Sequence, residues 1–508
     1  MSAGGATLGL IAVTLILRAI VATQVGLGLG EAYYYSAARH PSLSYFDQPP
    51  ATAFLGWLAL QVGGSTSDLV LRAPMILLFA GATWLTFVLG RRLFGPWAGF
   101  WAAFLLNLVP VFTLSTGVFY QPESPLIFCW VATLCLLVPL LLDDPSVRNP
   151  RGRWLAAGAM LGLTMLSKYT AIFLVAGVVL FLLTSRDRRR WFTRADPYLA
   201  VLVAIACFTP VLAWNAQHDW LSLRWQGARG AAFQGIHLDW LLHNIGGQLI
   251  EILPWIWLPL LIEPLRAWRA RDEERAPRLL LVCIGFPPVL MFTAVSAYAN
   301  IGDHFHWAAV GYFTLLIGLG ATIDHWVRRV PVRAMAGIGA MTLASVFFIG
   351  FLVIQSVSGR FSVGYGSLSR WLAHNDGTIE LMDFGALVPA FRERGLLDRP
   401  GLFIFADRWY LAGKIDYAFR GKMPFYLFSE NDPREYAFFE PSSRAVGQEG
   451  ILVTQREAIA EIRHDYGSYC SSIDSVGDVP IVRSGKVEWT LLLYRCGKLL
   501  KPYPIPYR

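Results

Sequence analysis

The chain has 508 residues, 55% of them hydrophobic and only 15% charged, with a net charge of +8. Soluble domains usually carry about a quarter charged residues, so this balance and a mean hydropathy of +0.46 exclude an ordinary soluble enzyme. The basic excess sits in short loops between apolar runs, where a bilayer explains it and no nucleic-acid partner is expected.

The first apolar run, residues 7–29, is too long for a signal-peptide core and lacks a charged start and a small-residue cleavage site. It reads as a retained first span. Arg18 falls inside it, so it either meets a partner or polar cavity or snorkels to the headgroups. Directly after it comes "GLGEAYYYSAARHPSLSYFDQPP", which places Glu31, Asp47, Arg39, His40 and several tyrosines, Tyr34 and Tyr45 among them, in a first loop over 30–69. The apolar stretch "PPATAFLGWLALQVGG" that follows is too short for a comfortable crossing and reads as an interfacial or re-entrant helix.

Further spans are expected near 70–90, 95–112, 124–142, 153–167, 170–184, 196–213, 245–263, 278–296, 306–324 and 333–355, eleven in all. Arginine-rich loops such as "SRDRRRWFTR" and "RAWRARDEERAPR" then fall on one side, with eighteen Lys/Arg against five opposite (Arg39, Arg72, Lys168, Arg224 and Arg229). The positive-inside rule makes the rich side cytoplasmic, which puts the N-terminus inside and the tail outside. Glu31, Asp47, Glu123, Lys168, His218, Asp219, Asp303, His304 and His306 all gather on the exterior side. Such a mixed set predicts a site for something arriving from that face or from the outer leaflet.

The runs 153–167 and 170–184 are short for a bilayer at ~1.5 Å per residue, so the "SKYT" turn joining them is expected below the outer headgroups. A lysine there meets an anion, lines a wet cavity, or snorkels to lipid phosphate. From residue 359 the composition becomes that of a soluble domain. "LFIFAD", "MPFYLF", "GILVTQ" and "WTLLLYR" predict strands, with helices near 408–418 and 455–465, hence a small exterior α/β domain over 359–508 beside a membrane domain over 1–358. The tail's two cysteines lie in a compartment where disulfides persist, which predicts a Cys470–Cys496 bridge. Cys129, Cys135, Cys207 and Cys283 lie in apolar runs without zinc spacing.

"EAYYYSAARHPSLSYFDQPP", "YQPESP", "GLTMLSKYTA" and "WNAQHDWLSLRWQ", in that order, resemble the bacterial branch of dolichyl-phosphate-mannose–protein mannosyltransferase-like enzymes, which includes the lipid A aminoarabinose and galacturonic acid transferases. The resemblance implies a polytopic GT-C glycosyltransferase fold. It implies a sugar taken from a polyprenyl-phosphate carrier and passed, with inversion, to a lipid A, glycan, lipid or protein acceptor outside. The family's acidic pair before the tyrosines reads Gly30-Glu31 here, so three assignments stay open: Glu31 as general base, Asp47 or Glu123 in its place, or an inactive, carrier-binding member. Asp47 matches an acidic position near the donor phosphate that can help hold a divalent ion (Mg, Mn or Zn), and Gln48 stands where aminoarabinose-transferring members often have lysine. Glu123 matches the second exterior acid. Lys168 is the expected phosphate ligand, with Arg224 and Arg229 in reserve, because a fixed cation stabilises a leaving phosphate. Tyr34, Tyr45, Tyr169, His218 and Asp219 are the candidate substrate contacts. A transporter is the rival class, but the sequence shows no convincing internal repeat and its polar residues favour one face.

Overall fold

The computed structural model describes residues 2–142, 147–231, 233–270, 272–299, 304–363, 366–397 and 399–507; Asp303 lies outside them. The chain divides into two compact units. The first comprises residues 1–20, 43–52 and 72–349, and the second 21–42, 53–71 and 350–508.

Among the described residues, seven helices are long and apolar enough to cross a membrane by length and composition: Ala3–Gln24, Asp68–Phe94, Glu123–Leu141, Ala195–Gln217, Arg275–Val295, Phe305–Arg329 and Pro331–Ser358. The pair Leu238–Ile252 and Pro254–Arg269, bent by 110° at the Leu253-Pro254 break, makes an eighth if it is one span. Of the other runs read as spans, 95–112 becomes a short helix, Pro96–Leu106, followed by a π-helical turn, Val111–Thr116. Tyr169–Leu183 is likewise a shorter apolar helix, and Ala51–Gly63 is a helix of 13 residues.

Inside the helical unit, apolar side chains do not gain by leaving lipid, so close packing has to hold the helices together. The helix Pro150–Ser167 shows how. Gly158 and Gly162 stand four apart on one face against Ala195–Gln217, and a Cβ on Gly158 would come within 2.2 Å of the Ala200 carbonyl oxygen. At Gly162 it would meet Cys207 Cβ at 2.4 Å. Larger hydrophobes, among them Phe112, Trp130, Phe181 and Phe313, fill the remaining core. Arg18 is buried, donates from Nη2 to Asn107 Oδ1 at 2.7 Å and lies 4.4 Å from the Phe79 ring centre. The intramembrane charge therefore has a partner and does not snorkel.

The second unit is built on a five-stranded sheet of β1 (Leu402–Ala406), β2 (Phe425–Leu427), β3 (Glu449–Thr454), β4 (Ile473–Arg483) and β5 (Lys486–Cys496). Its order is β2-β1-β3-β5-β4, with β1 parallel to β2 and β3, and β5 antiparallel to β3 and β4. Every residue of β1 is buried, and alternation sends Leu402, Ile404 and Ala406 to one apolar cluster and Phe403 and Phe405 to the other. A disulfide joins Cys470 to Cys496 in the second cluster, with Cα atoms 5.2 Å apart. On the first cluster's side the helix Trp409–Phe419 lies against Leu29–Arg39, so close that a Cβ on Gly413 would sit 2.6 Å from the Tyr33 amide nitrogen. Polar groups seal the pair: Ser36 Oγ donates to Asp416 Oδ2 at 2.7 Å, Arg39 pairs with Asp416, and buried Lys414 donates to the Leu27 and Met382 carbonyls.

Candidate active site

In the helical unit, the helix Pro150–Ser167 stops at Lys168, whose backbone turns extended (φ −161°, ψ 143°) before a 3-10 turn, Tyr169–Ala171, and the helix Ile172–Leu183. That break aims the ammonium inward. Lys168 is 9% exposed, and its Nζ pairs with Oε1 of Glu123. Glu123 opens its own helix behind Pro122, where the peptide dipoles favour an anion. Two further ionisable groups lie within electrostatic reach of the pair, His306 and Glu251. The pair lines a narrow cavity with His306, Thr116, Thr170 and Trp307.

Beside the break, Tyr169 shares a hydrogen bond with Ser222 at 2.8 Å, reaches Ser44 and Asn215, and feels the charge of Asp47. Asp47 is 5% exposed, and its carbonyl accepts a hydrogen bond from Gln226. Tyr45 and Phe46 are buried next to it, with Phe46 against Trp225 at 5.0 Å. Gln48 carries a buried amide oxygen with no hydrogen-bond partner among the described residues, an unmet polar atom of the kind that substrate satisfies at functional sites. Arg229 lies over Trp225 and Trp307, at 4.5 and 4.7 Å, and its Nη2 meets His304 Nε2 at 2.9 Å. It also acts electrostatically on His306, which joins it to the Lys168 cluster.

Other candidate residues have local partners. Arg224 is exposed and donates to the Asp219 carbonyl at 3.4 Å. His218 stacks on Trp214 at 4.1 Å, and its Nδ1 lies 2.7 Å from the Trp214 carbonyl, a local arrangement that closes the end of Ala195–Gln217. Glu31 and Tyr34 belong to the second unit. Glu31 is fully buried in the first turn of Leu29–Arg39, where its Oε2 accepts the Gly28 N–H at 2.8 Å. Its carboxylate thus has a helix-capping task whatever else it does. Among the described residues no three His, Cys, Asp or Glu side chains converge as a metal-holding set. The divalent ion expected at Asp47 finds no such set.

Glu251 is the group that sequence reasoning passed over. The signal was present: a carboxylate inside the apolar run "GGQLIEILPW" is costly in lipid and marks a functional position by default.

Residues 47–214 match the family model described as dolichyl-phosphate-mannose-protein mannosyltransferase. Over 287 residues the chain is 29% identical to the lipid A galacturonosyltransferase RgtD of Rhizobium johnstonii; the match covers 56% of this chain and 57% of that relative's length. ArnT from Cupriavidus metallidurans superposes with a TM-score of 0.65 in the apo state, at 14% identity and with 96% of both chains covered. The same protein bound to undecaprenyl phosphate gives 0.64 at 15% identity, covering 96% of this chain and 97% of that one. The chain thus has the fold of ArnT, and its residues 47–214 are similar to the dolichyl-phosphate-mannose-protein mannosyltransferase family.

Proposed function

We propose that the chain is a glycosyltransferase of the bacterial inner membrane that moves a sugar from a polyprenyl-phosphate carrier to an envelope acceptor, lipid A foremost, on the exterior face and with inversion. The observation that carries this reading is the buried Lys168–Glu123 pair at a helix break, with Arg229 in the same electrostatic cluster. A dry, fixed cation is what a departing phosphate needs. The solved ArnT complex holds undecaprenyl phosphate, and the curated relative is named for lipid A; both support the choice of donor and acceptor.

In the proposed reaction a carboxylate, Glu31 or Asp47, takes the proton of the acceptor hydroxyl. The freed oxygen attacks the anomeric carbon from the face opposite the carrier. The bond from that carbon to the phosphate oxygen breaks, and its electron pair leaves on the carrier phosphate beside Lys168 and Arg229. Gln48 donates its amide N–H groups to that phosphate. Tyr34, Tyr45, Tyr169, His218 and Asp219 contact the sugar or acceptor, and Arg224 draws anionic carrier towards the site. The arginine asymmetry of the loops supports a cytoplasmic N-terminus and a periplasmic tail domain.

The test is transfer by the full chain in nanodiscs, with labelled polyprenyl-phosphate sugars as donors and lipid A as acceptor. Glu31→Gln or Asp47→Asn, whichever removes the base, should lower turnover about 10²-fold or more while the protein stays folded. Wild-type rates from both variants would remove the base assignment. Carrier binding without transfer from any donor would leave an inactive carrier-binding protein in place of an enzyme.

A further inference from the structure

We propose that the crevice at the carboxyl ends of β1, β2 and β3 is a binding site for a hydroxyl-rich saccharide, neutral or amino-bearing. This site lies wholly within the second unit and does not depend on the transferase reading. The strand order β2-β1-β3 reverses direction at β1, and open α/β sheets bind ligands in the crevice outside the carboxyl ends of strands at such a reversal. Here that crevice is a cavity of about 510 Å³, within the range of small-molecule sites. Asp407, directly after β1, lines it, as do Ser429 beyond β2 and Arg456 beyond β3.

Asp407 is the feature that calls for a ligand. It is 5% exposed, and its Oδ2 accepts from Thr454 Oγ1 at 2.8 Å. Its Oδ1 is buried with no hydrogen-bond partner among the described residues. Burial pushes this carboxyl above the usual aspartate range, although Thr454, its own backbone N–H, Arg408 and Arg456 pull the other way. A buried carboxylate oxygen left without a donor is unfavourable, and a sugar hydroxyl supplies one. Arg408 and Asn431 line the same cavity with exposed side chains that donate to ring and hydroxyl oxygens. Tyr469 and Tyr503, with ring centres 4.9 Å apart, add an aromatic wall to the lining.

Charge decides the ligand class. Asp407, Glu430, Glu461 and Asp465 outnumber Arg408 and Arg456 in the lining, and Arg456 is already held by Asp465 at 2.7 Å and Glu461 at 3.3 Å. A phosphate or uronate would meet net repulsion, whereas a hydroxyl or ammonium would not.

The experiment titrates galactose, glucosamine and galacturonic acid into the full-length protein in nanodiscs, read by saturation-transfer NMR. Galactose or glucosamine should bind saturably and better than galacturonate. Arg408→Ala, at an exposed position that tolerates truncation, should weaken binding about 10-fold or more, and Asp407→Asn should act in the same direction. Failure of both neutral and amino sugars to bind overturns the proposal. So does wild-type affinity in Arg408→Ala and Asp407→Asn together, or a preference for galacturonate. A second arm adds a saccharide-headed lipid to the nanodisc: displacement of the free sugar identifies a lipid headgroup as the ligand, and its absence identifies a free glycan. Transfer activity is read separately, so loss of the transferase reading and loss of this one are distinguishable.

Discussion

Replacing Lys168 with methionine keeps most of the side chain's length and removes its charge. The Lys168 and Glu123 side chains are 11% and 9% exposed, so the substitution leaves an uncompensated carboxylate in the helical core. Breaking a buried pair in this way costs ~3–5 kcal/mol. Glu123's position at a helix N-terminus offsets up to ~1 kcal/mol of that, so about 3 kcal/mol of destabilisation is expected. The double variant Glu123→Gln/Lys168→Met removes both charges and should recover most of the loss, since a neutral replacement of a buried pair is often close to neutral. Turnover should behave differently. If Lys168 stabilises the departing phosphate, both variants lose about 10²–10³ in kcat, the usual effect of removing one such donor. Thermal unfolding in nanodiscs and transfer from a labelled carrier, measured on one preparation, separate the two effects. A single variant as stable as wild type would refute the buried pair. A double variant that transfers at the wild-type rate would refute the phosphate role.

Gly158→Val should force the helices Pro150–Ser167 and Ala195–Gln217 apart, since its Cβ has only 2.2 Å to the Ala200 carbonyl oxygen; a loss of ~1–3 kcal/mol or more is expected and is read by thermal unfolding and yield. Cys470→Ser with Cys496→Ser opens a loop of sequence separation 26 and should cost ~2–5 kcal/mol, seen as faster proteolysis of the tail. Burial alone would raise the Asp376 carboxyl, but hydrogen bonds from Thr378, Gln355 and Arg483 outweigh it and hold the group below the usual aspartate range. Its contribution is therefore fully present above the unfolded value near ~3.9 and is lost as pH falls through the lower folded value. Asp376→Asn should flatten the acid limb of the second unit's stability curve, measured by tryptophan fluorescence between neutral pH and strong acid. An acid limb unchanged from wild type would refute the contribution.

The strands β1, β2, β3 and β5 were legible because each is a short apolar or alternating run bounded by turn residues. β4 was not. "IDSVGDVPIVR" contains Gly477 and Pro480, both of which weaken a strand reading, yet β4 is an edge strand with a bulge between Ser475 and Gly477, where both residues are tolerated. Its hairpin to β5 turns on Ser484 and Gly485, both with positive φ, a turn signal in "RSGK" that would have rescued it. In the helical unit the composition gave away the membrane at once. The helix break at Lys168 could be argued from span lengths, but its pairing with Glu123 could not, because 45 residues of chain separate the partners. Periodicity was equally silent on Glu31's use as a helix cap and on the association of 21–42 and 53–71 with the tail, since long-range packing leaves no local pattern.

The clasp between Leu29–Arg39 and Trp409–Phe419 sets an order of assembly. Ser36 and Asp416 are 380 residues apart, so the tyrosine-rich segment leaves the ribosome long before the helix that covers it exists. Until synthesis is almost finished, buried Tyr33 and Tyr35 have no cover from that helix and are open to chaperones and proteases. A premature stop anywhere before residue 409 would therefore leave the first loop without its partner helix, and quality control would meet the defect at the opposite end of the chain from the lesion.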